Sequence, residues 1–159
     1  MEKVKRIALV AHDNRKQDLI EWVKFNKRTL IEHKLICTGT TGRLVEEALN
    51  VELESVSNHL KKLVKLDIVK LKSGPLGGDQ QLGAMICEGE VDLVIFLWDP
   101  MQPQPHDVDV RSLLRIATMY NIPTATNRST ADFIISSPLF HKEYEPIMKD
   151  YSEYLHRNV

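Results

Sequence analysis

In the stretch SGPLGGDQQ (73–81), three glycines and a proline lead into an aspartate, and apolar helical spacing resumes directly after it. Glycine-rich loops of this kind commonly hold phosphate, which a carboxylate beside it would repel. Ser73 and Gly74 offer a hydroxyl and an unobstructed backbone N–H to an anion. Asp79 lies five residues beyond Gly74, far enough to present its carboxylate to a different atom of the same ligand. The same aspartate would equally serve as the N-cap of a helix beginning at Gln80. TGTTG (38–42) places two adjacent hydroxyls, Thr40 and Thr41, between glycines where a helix should begin. Such a turn attracts anions through its N–H groups and the helix dipole, and it is also an ordinary cap. Neither loop is a Walker or dinucleotide motif, because GK[ST] and GxGxxG are both absent.

Three further polar groups carry chemistry. In HDNRK, Lys16 follows His12 by four residues and could reach the same anion. PQPHDVD brings His106 together with Asp107 and Asp109, and a carboxylate beside a histidine fixes the ring's tautomer and direction. Asp13 and Asp99 each sit just past an apolar run. No HxxxH or HEXXH spacing joins these residues, so no metal site is expected.

Five polar loops follow five predicted strands. Arg6–Ala11 and residues 91–98 are short, almost wholly apolar runs, as strands covered on both faces must be. Shorter strands are expected at 35–37, 68–71 and 124–127. Helical spacing predicts helices over 14–33, 43–50, 80–88, 107–120 and 130–135. Residues 51–72 admit either a helix capped by Ser57 followed by a strand, or a β-hairpin. Alternating strands and helices imply a single-domain α/β fold, a doubly wound, Rossmann-like parallel sheet with helices on both faces. In such sheets functional loops gather at the carboxyl ends of the strands. HDNRK, TGTTG, SGPLGGDQQ, WDPMQPQPHDVD and ATNRST therefore converge on one edge.

Composition bounds the partners. The 159 residues are 43% hydrophobic and 27% charged, with 21 basic and 22 acidic side chains. This is the make-up of one globular domain, and the near-neutral balance favours neither nucleic acid nor a membrane surface. Cys37 and Cys87 show no CxxC spacing and read as two buried thiols. The apolar run after the basic N-terminus is five residues long and is broken by His12, so a cytoplasmic protein is expected.

Taken together and in order, VAHDNRK, TGTTG, SGPLGGDQQ, WDP, PHDVD and ATNRSTADFII resemble methylglyoxal synthases closely, from about Ile7 to Ser137. The resemblance implies a lyase that converts dihydroxyacetone phosphate to methylglyoxal and inorganic phosphate through an enediolate, with no metal or organic cofactor. It implies Asp79 as the base and His106 at the substrate's oxygens, steadied by Asp109 or Asp99. His12 and Lys16 would line the site, and Thr38, Gly39, Thr40 and Thr41 with Ser73 and Gly74 would bind phosphate. A homohexamer is implied, with phosphate as a possible allosteric inhibitor and Arg157 as the candidate for reaching a neighbouring subunit's site. Two features depart from the family pattern: residues 51–66 look like an insertion, and the spacing before Arg157 differs. The alternative is a regulatory phosphate-ligand module of the same fold, as in carbamoyl-phosphate synthetase. Such a module would have no need of Asp79 and His106 together. A response-regulator receiver is set aside, because HD and ATNRST occupy the places of its acidic pair and lysine.

Overall fold

The computed structural model describes residues 1–54, 66–103 and 107–155. His106, Arg157 and residues 55–65, the greater part of the expected insertion, lie outside them. Five strands form one sheet: β1 (Arg6–Ala11), β2 (Lys34–Thr38), β3 (Asp67–Leu71), β4 (Leu93–Leu97) and β5 (Thr124–Ala125). All neighbours are parallel, in the order β3-β2-β1-β4-β5. The order reverses direction between β1 and β4, which makes the crevice beyond their carboxyl ends the place for a ligand.

The side-chain alternation of the central strands divides the core in two. Ile7, Leu9 and Ala11 of β1 and Leu93, Ile95 and Leu97 of β4 face one layer, with Leu19, Trp22, Val23, Val45, Leu49, Ala131 and Ile135. These come from α1 (Lys16–Phe25), α3 (Gly39–Glu54) and α6 (Arg128–Ser136). Ala8, Val10, Val94 and Phe96 face the other layer, where Leu82 and Ile86 of α4 (Gly78–Cys87) meet Val110, Leu113 and Ala117 of α5 (Asp107–Met119).

Several boundaries differ from expectation for local reasons. The helix expected over 14–33 divides into a 3₁₀ turn (Asp13–Arg15), α1 and the short α2 (Lys27–Leu30). The break falls at Asn26, whose φ of −96° and ψ of 14° leave the helical region while its backbone N–H and side-chain amide both donate to the Trp22 carbonyl, at 3.0 and 2.9 Å. Helix α3 starts at Gly39 rather than Arg43, so both threonines lie in its first turn, and it continues to Glu54. Strand β5 stops at Ala125 because Asn127 serves as N-cap of α6, accepting the Thr130 N–H at 2.9 Å. The tail ends in α7 (Ser152–Leu155). Cys37 is buried as expected. Cys87 is exposed instead, since it closes α4 just before the chain turns at Gly89 with φ +70°.

Candidate active site

A cavity of about 100 Å³ opens at the carboxyl edge of the sheet. Three loops contribute to it: His12, Asp13 and Lys16 after β1; Thr38, Gly39, Thr40 and Thr41 at the end of β2 and beyond it; and Ser73, Gly74 and Pro75 after β3, with Asp79 where that loop enters α4. Ten of the residues singled out in the sequence thus meet in one place. Val10 and Phe96 supply its apolar wall, a contribution that no local polar motif announced.

The loops after β2 and β3 are locked together by close backbone packing. Gly39 has φ +44°, and a Cβ there would lie 2.8 Å from both Cα and Cβ of Ser73. Its N–H donates to the Lys72 carbonyl at 3.1 Å. The later first-turn N–H groups of α3 are those a helix cannot pair internally, and they face an anion with the positive end of the dipole. The Lys16 ammonium donates to the Thr40 hydroxyl and pairs with Asp13 at 2.6 Å. Hydroxyls, helix N-terminus and ammonium are grouped here as a cradle with the chemistry an anion requires.

The glycine loop resolves the apparent conflict between carboxylate and phosphate. A 3₁₀ turn (Gly74–Leu76) follows Ser73, and Gly77 then takes the left-handed conformation with φ +96°. Gly78 donates to the Ser73 carbonyl at 2.9 Å. A Cβ on Gly78 would come within 2.0 Å of the Lys72 carbonyl oxygen, so the chain can double back only here. Helix α4 begins at once, with Gly77 as its N-cap; Asp79 is therefore in the first turn and not the cap. Its side chain is 4% exposed and reaches the cavity from the far end of the loop.

His12 is 6% exposed. Its Nδ1 accepts the backbone N–H of Asp99 at 3.2 Å. With Nδ1 an acceptor, the neutral ring carries its proton on Nε2. Phe96 braces the imidazole edge-on, with 5.1 Å between centroids. Asp99 does not line the cavity. Its carboxylate accepts the Met101 N–H at 3.1 Å and the Asn14 amide at 3.1 Å. Those two donors, the Met101 N–H first, hold the Asp99 carboxyl below the usual carboxylate range. Asn14 also donates to Gln102, tying the loop after β1 to the loop after β4. Asp109, half-buried in the first turn of α5, lines a separate cavity of about 210 Å³ between α4 and α5, whose wall Asp79 shares.

Among the described residues, no group of three or more His, Cys, Asp or Glu is placed to hold a metal ion. No described helix is long and apolar enough to cross a membrane.

Known proteins share both the sequence and this architecture. The MGS-like domain family matches residues 18–126. A methylglyoxal synthase from Maridesulfovibrio salexigens is 54% identical over 159 residues, spanning all of both chains. One from Leptospira interrogans is 52% identical over 149 residues, covering 94% of this chain and 90% of the relative. The crystal structure of methylglyoxal synthase from Elizabethkingia anophelis superposes with a TM-score of 0.85 at 46% identity, covering 100% of this chain and 95% of that one.

Proposed function

The chain belongs to the methylglyoxal synthase family, and we propose that the cavity at the carboxyl edge of its sheet is where it carries out the reaction. It is a carbon–oxygen lyase that converts dihydroxyacetone phosphate to methylglyoxal and inorganic phosphate. The observation that carries the site assignment is the sharing of one cavity by the buried carboxylate of Asp79 and the anion cradle built on Gly39–Thr41 and Ser73–Gly74.

The phosphate of the substrate occupies the cradle, held by the hydroxyls of Thr38, Thr40, Thr41 and Ser73, the first-turn N–H groups of α3, and Lys16. Asp79 removes a proton from the hydroxymethyl carbon, and the electron pair moves onto the carbonyl oxygen to give the enediolate. His12 presents Nε2–H to the developing charge. His106 shares the task at the second oxygen and moves a proton between the two, steadied by Asp109 or Asp99. The phosphate is held so that its C–O bond stands perpendicular to the enediolate plane. It departs with the bonding electrons and leaves the enol of methylglyoxal, which ketonises. Binding energy at the phosphate thus selects elimination over isomerisation by orientation.

The assembled enzyme is taken as a homohexamer in the cytoplasm, with Arg157 the candidate for reaching a neighbouring subunit's site and inorganic phosphate both product and allosteric inhibitor. The test is methylglyoxal formation from dihydroxyacetone phosphate by metal-free protein, with Asp79→Asn beside it. The variant should lose at least roughly 10²–10⁴ in rate, the usual worth of a positioned general base. It should still bind a phosphate-bearing analogue. An unaltered rate in Asp79→Asn would remove the base from this assignment.

A further inference from the structure

We propose that Asn14, with Gln102 as its second anchor, is a positioning residue that fixes the tautomer and direction of His12. Asn14 lies on the exposed 3₁₀ turn after β1, where an asparagine would ordinarily be solvated. Its side-chain amide is instead committed twice. It donates to the Asp99 carboxylate at 3.1 Å and to the Gln102 carbonyl oxygen. Asp99 in turn points its backbone N–H at Nδ1 of His12, 3.2 Å away. A chain of two hydrogen bonds through Asp99 therefore runs from an exposed amide to a buried imidazole, between the ends of β1 and β4 where the strand order reverses.

A backbone N–H only donates, so it selects the ring form whose Nδ1 lone pair faces it and whose proton sits on Nε2. That form gives a hydrogen-bond donor to an oxygen gaining charge. A freely turning ring would divide between tautomers and present an acceptor part of the time. The Asp99 N–H holds its direction only while the loop after β4 is held, and Asn14 and the Met101 N–H are what grip that loop's carboxylate. Among the described residues, the charged groups around His12 are Asp79 from α4, Lys16 from α1, Asp13 on the turn and Asp99 itself. Those acting on the Asp99 carboxylate are Arg15 and His12. None of them supplies a donor fixed in direction to Nδ1, as the Asp99 backbone does.

The inference rests on His12 acting on the substrate, as proposed above, and the experiment separates the two. Full-length protein labelled with ¹⁵N-histidine should show His12 as a single Nε2–H tautomer. In Asn14→Ala, kcat should fall roughly 10–100-fold, the usual cost of loosening a group that orients another. KM for dihydroxyacetone phosphate and the thermal midpoint should stay near parent values, and the ¹⁵N pattern should show mixed tautomers. Asn14→Asp should lose more, because its carboxylate faces that of Asp99. Its deficit relative to parent should shrink as pH falls and the pair shares a proton. A purely structural role would produce neither the tautomer change nor that pH-dependent recovery. An unchanged kcat and a single tautomer in Asn14→Ala overturn the inference while leaving His12 in place if His12→Asn is impaired. An active His12→Asn overturns the reading beneath it.

Discussion

Among the described residues two histidines are buried, and they have nearly the same surroundings. His12 follows β1 at the carboxyl edge of the sheet, and His33 precedes β2 at the amino edge. Each accepts a backbone N–H at Nδ1, from Asp99 at 3.2 Å and from Lys5 at 3.1 Å. Each has a phenylalanine edge-on, Phe96 at 5.1 Å and Phe140 at 5.0 Å. His12 opens onto a cavity with two carboxylates, an ammonium and four hydroxyls. His33 packs where the termini are sewn to the sheet, beside Lys5, whose ammonium donates to the Glu2 and Lys142 carbonyls. Burial and local bonding do not distinguish a histidine proposed for chemistry from one that supports structure. The end of the parallel sheet at which it stands does.

Substituting each histidine tests that contrast most severely. His12→Asn should lower kcat/KM by roughly 10²–10⁴, as loss of a positioned proton donor does, with little change in unfolding midpoint. His33→Leu should leave turnover intact at temperatures well below its midpoint. It should cost roughly 1–3 kcal/mol in denaturant unfolding, because the Lys5 N–H loses its acceptor in a buried place. If His33→Leu abolished turnover in folded protein, the division between the two edges would fail.

Lys16→Met probes the cradle alone. It removes a charged donor while Asp79 and His12 stay in place, and should weaken inorganic phosphate binding by roughly tenfold to a hundredfold. Titration of phosphate into the metal-free protein reads this directly.

The smallest effect separates the edges by pH. Burial lowers the pKa of His33 below its ordinary value. The unfolded chain, with histidine near ~6.5, then takes up protons before the folded one does. Above that pH both forms are neutral and His33 adds no slope. As pH falls below it, the unfolded state binds more protons and stability declines. Unfolding of the parent and of His33→Leu at pH 7.5 and pH 5.5 should show the gap between them narrowing in acid.

Much of this was legible in the chain. The apolar runs at 6–11 and 91–98 could only be central strands, and once strands and helices alternate, the loops that share an edge are determined. The threonines, the glycine loop and Asp79 announced themselves by residue type. The part played by Asp99 did not, since the contact it makes with His12 uses its backbone N–H, which every residue but proline carries. Asn14 was hidden for a related reason: its partners, Asp99 and Gln102, stand 85 and 88 residues away. Helix α3 starts four residues ahead of its apolar spacing because the left-handed Gly39 turns the chain straight out of β2. The exposure of Cys87 depends on where α4 stops, which residue type does not reveal.

The bond from Gly39 to the Lys72 carbonyl continues the β2–β3 ladder one step beyond Thr38 and Leu71, the last paired residues. The cradle is in that sense the final rung of an edge strand and not a loop hung from the sheet. Edge strands are the parts of a sheet that open most readily without global unfolding. An excursion that unzips β3 from β2 therefore takes Ser73 away from Gly39 and erases the phosphate seat while the rest of the molecule stays folded. Catalysis should fail on warming before the far-ultraviolet signal changes. Bound phosphate should slow exchange of the Gly39 amide hydrogen more than that of amides in β1 or β4, whose neighbours hold them from both sides.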